Sequence, residues 1–144
     1  MKEPRIYMAY GEKAAGGLAT ADDLDAGVRA SIATVDYGPA FRLGDGDDKV
    51  FFNFECLLKN GATLAYLVLQ TSANGTEFGN HCAGDEKLLV GTQIESIVRP
   101  FVQVVTLADA QKLSFCLTDV YGIWARLGVY TDVLGATLRV KTVV

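Results

Sequence analysis

The stretch KVFFNFECLLKNGATLAYLVLQT, residues 49–71, decides the fold class. In its first half Val50, Phe52, Phe54, Cys56 and Leu58 share one side of an extended chain, while Asn53, Glu55 and Lys59 take the other. Successive side chains of a strand point to opposite faces, so this alternation predicts a strand with one buried face and argues against a helix. Asn60-Gly61 follows at once. A type I′ turn needs positive φ at both central positions, which Asn and Gly supply, so the dipeptide predicts a hairpin joining Lys49–Lys59 to Ala62–Thr71. The second strand carries Leu67 and Leu69 on one face and Leu64, Tyr66 and Val68 on the other. Apolar residues on both faces predict a strand central to its sheet, or one whose outer face is covered by another subunit.

The same period continues in both directions. Ala30–Tyr37 reads as a strand stopped by Gly38-Pro39, Ala40–Leu43 as a short one, and Gly44–Asp48 as a turn. A polar loop is expected over Ser72–Glu86, then strands over Lys87–Val90, Gln93–Val98 and Phe101–Leu107, with Pro100 marking a break or edge. Gln111–Thr118 turns Leu113, Phe115 and Leu117 inward, and Ile123–Thr131 does so with Ile123, Ala125, Leu127 and Val129. Ala136–Val144 sets Leu138, Val140, Thr142 and Val144 against Thr137, Arg139 and Lys141. Roughly eight to ten strands spaced by about 8–12 residues, with one helix at most, are the pattern of an all-β antiparallel sandwich or barrel. Strand–helix alternation is missing, which excludes a parallel α/β sheet.

Residues 1–27 differ in character. GEKAAGGLATADDLDAG, residues 11–27, offers only Leu18 and Leu24 as large apolar groups, behind a small cluster of Ile6, Tyr7, Met8 and Tyr10. The expectation is an N-terminal arm over 1–27, extended or partly helical, ahead of a β-sandwich domain over 28–144. Such an arm is either mobile or ordered on a neighbouring subunit through the Ile6–Tyr10 cluster. Thr20 is placed to cap a short helix over Thr20–Val28, with Asp22, Asp23 and Asp25 at its positive end.

Composition narrows the partners. The chain has 144 residues, half of them apolar and 21% charged, with a net charge of −4. One domain of this size needs no staple. An acidic balance argues against nucleic-acid binding by neutralising phosphates. Three cysteines at no motif spacing point away from a disulfide framework and towards synthesis in reducing cytoplasm. No signal peptide is legible, and the longest apolar run, Leu64–Leu69, falls far short of the ~20 residues that span a bilayer. The expectation is a soluble intracellular product with no membrane partner.

The residues that could carry chemistry each have a plainer reading. Asp45, Asp47 and Asp48 suit a turn as well as a cation, and the twelfth position of a calcium loop starting at Asp45 would be Cys56. His81-Cys82 pairs a base with a thiol, but adjacent side chains rarely meet, and Cys56 and Cys116 on expected inward faces add no zinc spacing. Asp85, Glu86, Glu95, Asp109, Asp119 and Asp132 are available to a two-carboxylate hydrolase, yet each sits where loops place acids. Gly11–Gly17 keeps phosphate-loop glycine spacing without the Lys and Ser/Thr that contact phosphate. The Asn74-Gly75-Thr76 sequon means little without secretion. No catalytic, metal or cofactor-binding residue is assigned, and no cofactor is expected.

Trp124, Arg126 and Tyr130 share the strand face opposite Leu127. Aromatic residues interleaved with arginine suit a face covered by a loop or by the N-terminal segment, or a protein interface, and Tyr121, Trp124 and Tyr130 together suit a sugar-stacking platform. The candidate interface residues are therefore Ile6, Tyr7, Met8, Tyr10, Trp124, Arg126 and Tyr130.

Three segments together resemble a known family. SIATVDYGPAFRLGDGDDKVFFNFECLL (31–58), LVLQTSANGTEF (67–78) and YGIWARLGVYTDVLGATLRVKTVV (121–144) are similar, in strand order and loose motifs, to the jelly-roll cement (decoration) proteins of tailed-bacteriophage capsids. The resemblance covers most of residues 30–144. It implies a two-sheet jelly roll without enzyme activity, a homodimer or homotrimer that sits on the outer surface of the virion and bridges major capsid protein subunits. A carbohydrate-binding β-sandwich adhesion module is the alternative.

Overall fold

The computed structural model describes residues 6–11, 22–23, 35–43, 49–90, 93–100, 102–118, 120, 122–133 and 135–143; at Met8, 22–23, 82–90, 93–100 and Val102 the description is of backbone alone. Every strand pairing in it is antiparallel, and no helix occurs among the described residues.

The long strands of the two packed sheets are β5 (Val50–Leu58), β6 (Leu64–Ser72), β12 (Trp124–Thr131) and β13 (Thr137–Val143). Shorter ones flank them: β1 (Ile6–Tyr10), β2 (Asp22–Asp23), β3 (Asp36–Tyr37), β4 (Phe41–Arg42), β7 (Gly79–Asn80), β10 (Val102–Thr106) and β11 (Lys112–Leu117). One sheet runs β1-β13-β5-β11, with β2 also on β13. The other runs β10-β6-β12-β3, with β4 also on β12 and β7 on β6. Between β7 and β10 the chain forms a separate hairpin of β8 (Cys82–Val90) and β9 (Gln93–Pro100).

The core lies between the two sheets. Phe52, Phe54, Leu138 and Val140 come from the first, and Leu67, Leu69, Leu127 and Val129 from the second, all fully buried. Aromatic rings pack across this layer and at its margin: Tyr7 stacks on Phe41 with centroids 6.0 Å apart, and Phe52 on Phe115 at 5.2 Å. Burial of this apolar area, at about 25 cal/mol per Å², is the main driving force for the fold. The all-β sandwich expected from the alternation is what the chain forms.

The Asn60-Gly61 turn forms, but it does not make a hairpin. Asn60 and Gly61 have φ of 45° and 82°, and the Ala62 amide donates to the Lys59 carbonyl at 2.9 Å. Yet β5 and β6 belong to opposite sheets. The Asp132 carboxylate accepts the Thr63 and Leu64 amides at 2.9 and 3.0 Å, and the Leu107 amide donates to the Thr63 carbonyl at 2.8 Å. These contacts turn the chain out of the plane of β5. The two apolar faces then meet across the core, with β11 and β13 flanking β5, and β10 and β12 flanking β6. As expected from its two apolar faces, β6 is central.

The N-terminal expectation needs correcting. Ile6–Tyr10 is a strand of this chain's own first sheet, in register with β13 from Ile6↔Val143 to Tyr10↔Val140. Its inward side chains, Ala9 and Tyr10, are core residues. Asp22 and Asp23 are extended against Leu138 and Thr137, so no helix runs through them. The rest of the expected helix, and residues 12–17 with Asp45, Asp47 and Asp48, lie outside the described residues.

Smaller departures have local causes. Leu58 is 54% exposed because β5 carries one extra residue where Leu138 and Thr137 pair with Cys56 and Leu58, a bulge that ends the alternation. Ile123, just before β12, is exposed. Cys116 lies on the outward face of β11 and is exposed, whereas Cys56 is buried. The expected loop over Ser72–Glu86 is a loop only to Phe78; β7 then pairs with β6, and β8 begins at Cys82.

Candidate functional site

The outer face of the second sheet gathers the aromatic residues. Trp124, Arg126 and Tyr130 share it, as their spacing implied, and the register places Gln70, Val68 and Tyr66 of β6 opposite Arg126, Gly128 and Tyr130. At Gly128 the chain has no side chain because a Cβ there would lie 2.4 Å from Val35 and 2.7 Å from the Tyr37 ring. The 35–37 segment thus settles onto the strand, and Val68 beneath it is fully buried.

Arg126 is the centre of this face. Its guanidinium lies 4.1 Å from the Tyr37 ring centroid and 4.4 Å from that of Phe78, an arginine held by two aromatic residues. Its Nε donates to Gln70 Oε1 at 2.8 Å, and Gln70 Nε2 donates to Asn80 Oδ1 at 2.9 Å. Beside it Tyr66 and Tyr130 stack nearly parallel with centroids 4.6 Å apart. Burial pushes the Tyr37 hydroxyl above its ordinary pKa against the pull of Arg126 and Gln70; burial and then Tyr66 do the same to Tyr130. Both phenols stay neutral near pH 7.

The loop after β6 folds over Trp124. Ser72 Oγ accepts the Asn74 and Gly75 amides, and Asn74 Oδ1 accepts the Thr76 and Glu77 amides. This tight turn brings Gly75 so close that a Cβ there would sit 3.2 Å from Trp124 Nε1. The Asn74 side chain is therefore occupied in building a turn.

The outer face of the first sheet was not singled out by sequence; Asn53, Glu55, Arg139 and Lys141 were placed outward correctly, whereas Cys116 was expected inward. Direct pairing lines up three rows across the strands. Ile6, Val143, Phe51 and Cys116 form an apolar row, with Ile6 71% and Phe51 51% exposed. Met8, Lys141, Asn53 and Ser114 form a second by register. Arg139, Glu55 and Lys112 form a charged third. Arg139 grips Glu55 through Nε at 3.0 Å and through its NH2 group, and Lys112 Nζ stands 3.8 Å from the same carboxylate. The hydrogen bond from Arg139 leads in holding the Glu55 carboxyl below its usual range, against the effect of burial. Asn53, Glu55, Lys112, Ser114, Arg139 and Lys141 line a shallow cleft of about 440 Å³ on this face.

The proposed interface residues are thus divided. Trp124, Arg126 and Tyr130 lie half-buried on the second sheet, Ile6 is exposed on the first, and Tyr7 is packed on the core. Tyr10 is 3% exposed and is a core residue, not a surface anchor. Met8 is placed by backbone only.

Of the other sequence candidates, Asp109 and Asp132 bind backbone amides, Cys82, Asp85, Glu86 and Glu95 are placed by backbone only, and Asp119 and Tyr121 lie outside the described residues. Asp109 accepts the Lys59 amide at 3.2 Å, and Asp132 holds the β5–β6 corner. His81 continues the sheet, its amide donating to the Leu69 carbonyl at 2.9 Å. Among the described residues no three His, Cys, Asp or Glu side chains gather in a way that could hold a metal ion. No helix among them is long and apolar enough to cross a membrane.

Compared with known proteins, the chain matches no family model, no curated protein and no solved structure.

Proposed function

We propose that this chain is a capsid cement protein, a jelly-roll module on the outside of a tailed-phage head that bridges major capsid protein subunits. The observation that carries the reading is the order of the strands. Setting aside the two-residue β2, which also lies on the first sheet, and taking β3 and β4 as one interrupted strand, the strands alternate between layers: β1, then β3–β4, then β5, then β6. After β10 beside β6, the chain returns through β11, β12 and β13, again alternating. Two interlocked Greek keys of this kind make the eight-stranded double sheet of a jelly roll. The order agrees with the fold implied by the sequence resemblance.

Such a block suits a mechanical task. Internal pressure from packed DNA pushes capsid subunits apart, and a stiff sandwich spanning their junction resists by the area it buries on both. Exposed Ile6 and Phe51 on one sheet and the aromatic–arginine face on the other are surfaces of the composition that protein interfaces use. The net charge of −4 disfavours binding to the genome. No catalytic residue, metal or cofactor enters this reading. The carbohydrate alternative is less well supported, because Gly75 and its loop lie over the Trp124 ring on which a sugar would stack.

The test is decoration. Purified protein added to expanded capsids should co-sediment at a fixed ratio to the major capsid protein and raise the temperature at which the shells rupture. Equal rupture temperatures with and without it would sink the proposal.

A further inference from the structure

The free edge of β11 is the feature no other described part of the fold uses. We propose that it pairs antiparallel with β11 of a second copy of this chain, in a register centred on Ser114. The orientation follows from one hydrogen bond. The Cys56 amide donates to the Gln111 carbonyl at 2.9 Å, so Gln111, and with period two Leu113, Phe115 and Leu117, aim their backbone groups at β5. Lys112, Ser114 and Cys116 then aim theirs away from β5, where no described strand pairs with them. An unpaired edge of this kind is a template for another strand.

The side chains favour a second copy as the occupant. With Ser114 opposite Ser114 of the second copy, Lys112 faces Cys116 of the second copy and meets no like charge. On the core side Leu113 faces Phe115 of the second copy, and both are only partly buried in the single chain. Pairing therefore extends the apolar layer of one sandwich into the next. The β10 edge of the second sheet is less suited: Gln103 Nε2 donates to the outward-pointing Val104 carbonyl at 3.2 Å, occupying the middle of that edge. The inference supplies the self-association that the cement reading leaves open. It is tested without capsids, so the two can fail separately.

The experiment is sedimentation equilibrium on the full chain. The wild type should run at twice the 15.4 kDa subunit mass. Ser114→Lys and Ser114→Glu, each setting like charges against each other at the two-fold axis, should raise the dimer dissociation constant at least tenfold. An equal mixture of the two should restore the dimer. Ser114→Pro is a second probe: it removes an outward N–H without touching a backbone bond to β5, and should also give a monomer. Circular dichroism and melting close to wild type would establish that these variants fold. A monomeric wild type, an oligomer indifferent to all three variants, or a mixture that stays monomeric would overturn the proposal.

Discussion

Asp132 is the residue on which the crossover between sheets depends. Its carboxylate accepts the Thr63 and Leu64 amides and the Thr63 hydroxyl, across nearly 70 positions of sequence. Burial pushes this carboxyl up, but the hydroxyl and amide hydrogen bonds pull it further down, so its folded pKa lies below the ordinary value. A group depressed in the folded state stabilises fully above its unfolded pKa, about 3.9 for Asp, and that stability is lost as pH falls through the folded value. Asp132→Ala should therefore cost about 1–2 kcal/mol at pH 7 in urea unfolding. The gap between variant and wild type should close as the pH drops from about 4 towards 2. A gap that stays constant over that range would show that the carboxylate's charge is not what holds the corner.

At the scale of elements, the sequence was legible where the signal is local. The alternation in β5, β12 and β13 and the positive-φ dipeptide at Asn60-Gly61 depend only on near neighbours, and each is present. Which strand lies beside which was not legible. The exit from that turn is set by Asp132 and Leu107, and Arg139 meets Glu55 at a separation of 84 residues. The first strand was misplaced for a different reason. Five residues ahead of a Gly-, Ala- and Asp-rich run resemble a tail, and nothing nearby reveals that β13 has an open edge to receive them. The consequence is measurable. Tyr10 is a core residue, so Tyr10→Ala should destabilise the fold by about 3 kcal/mol, as loss of a buried aromatic does. An arm anchored only on a neighbour would leave the single chain's melting temperature unchanged, and that result would return Ile6–Tyr10 to the role the sequence suggested.

On the scale of the whole molecule, the stiff sandwich, the β11 edge and capsid decoration make a joint prediction. A dimer joined at β11 presents two copies of every docking surface at a fixed separation, because the first sheet runs unbroken from one subunit into the other. When both copies engage the shell, the second contact forms at the effective concentration set by the first, and such linkage raises apparent affinity by roughly 10²–10⁴ without any new contact. Ser114→Pro leaves the outer face of the second sheet intact and, on the first, changes one position, whose hydroxyl bond to Asn53 is lost together with the link between subunits. The variant should therefore bind expanded capsids at the same sites, but reach half-saturation at a protein concentration about 100-fold higher or more. At saturation it should still raise the rupture temperature, though by less, since a monomer bridges fewer junctions. Titrating wild type and variant against the same capsids by co-sedimentation separates the possibilities. Identical curves for a dimeric wild type and a monomeric variant would mean that one subunit does all the docking, and that the second plays no part in holding the shell.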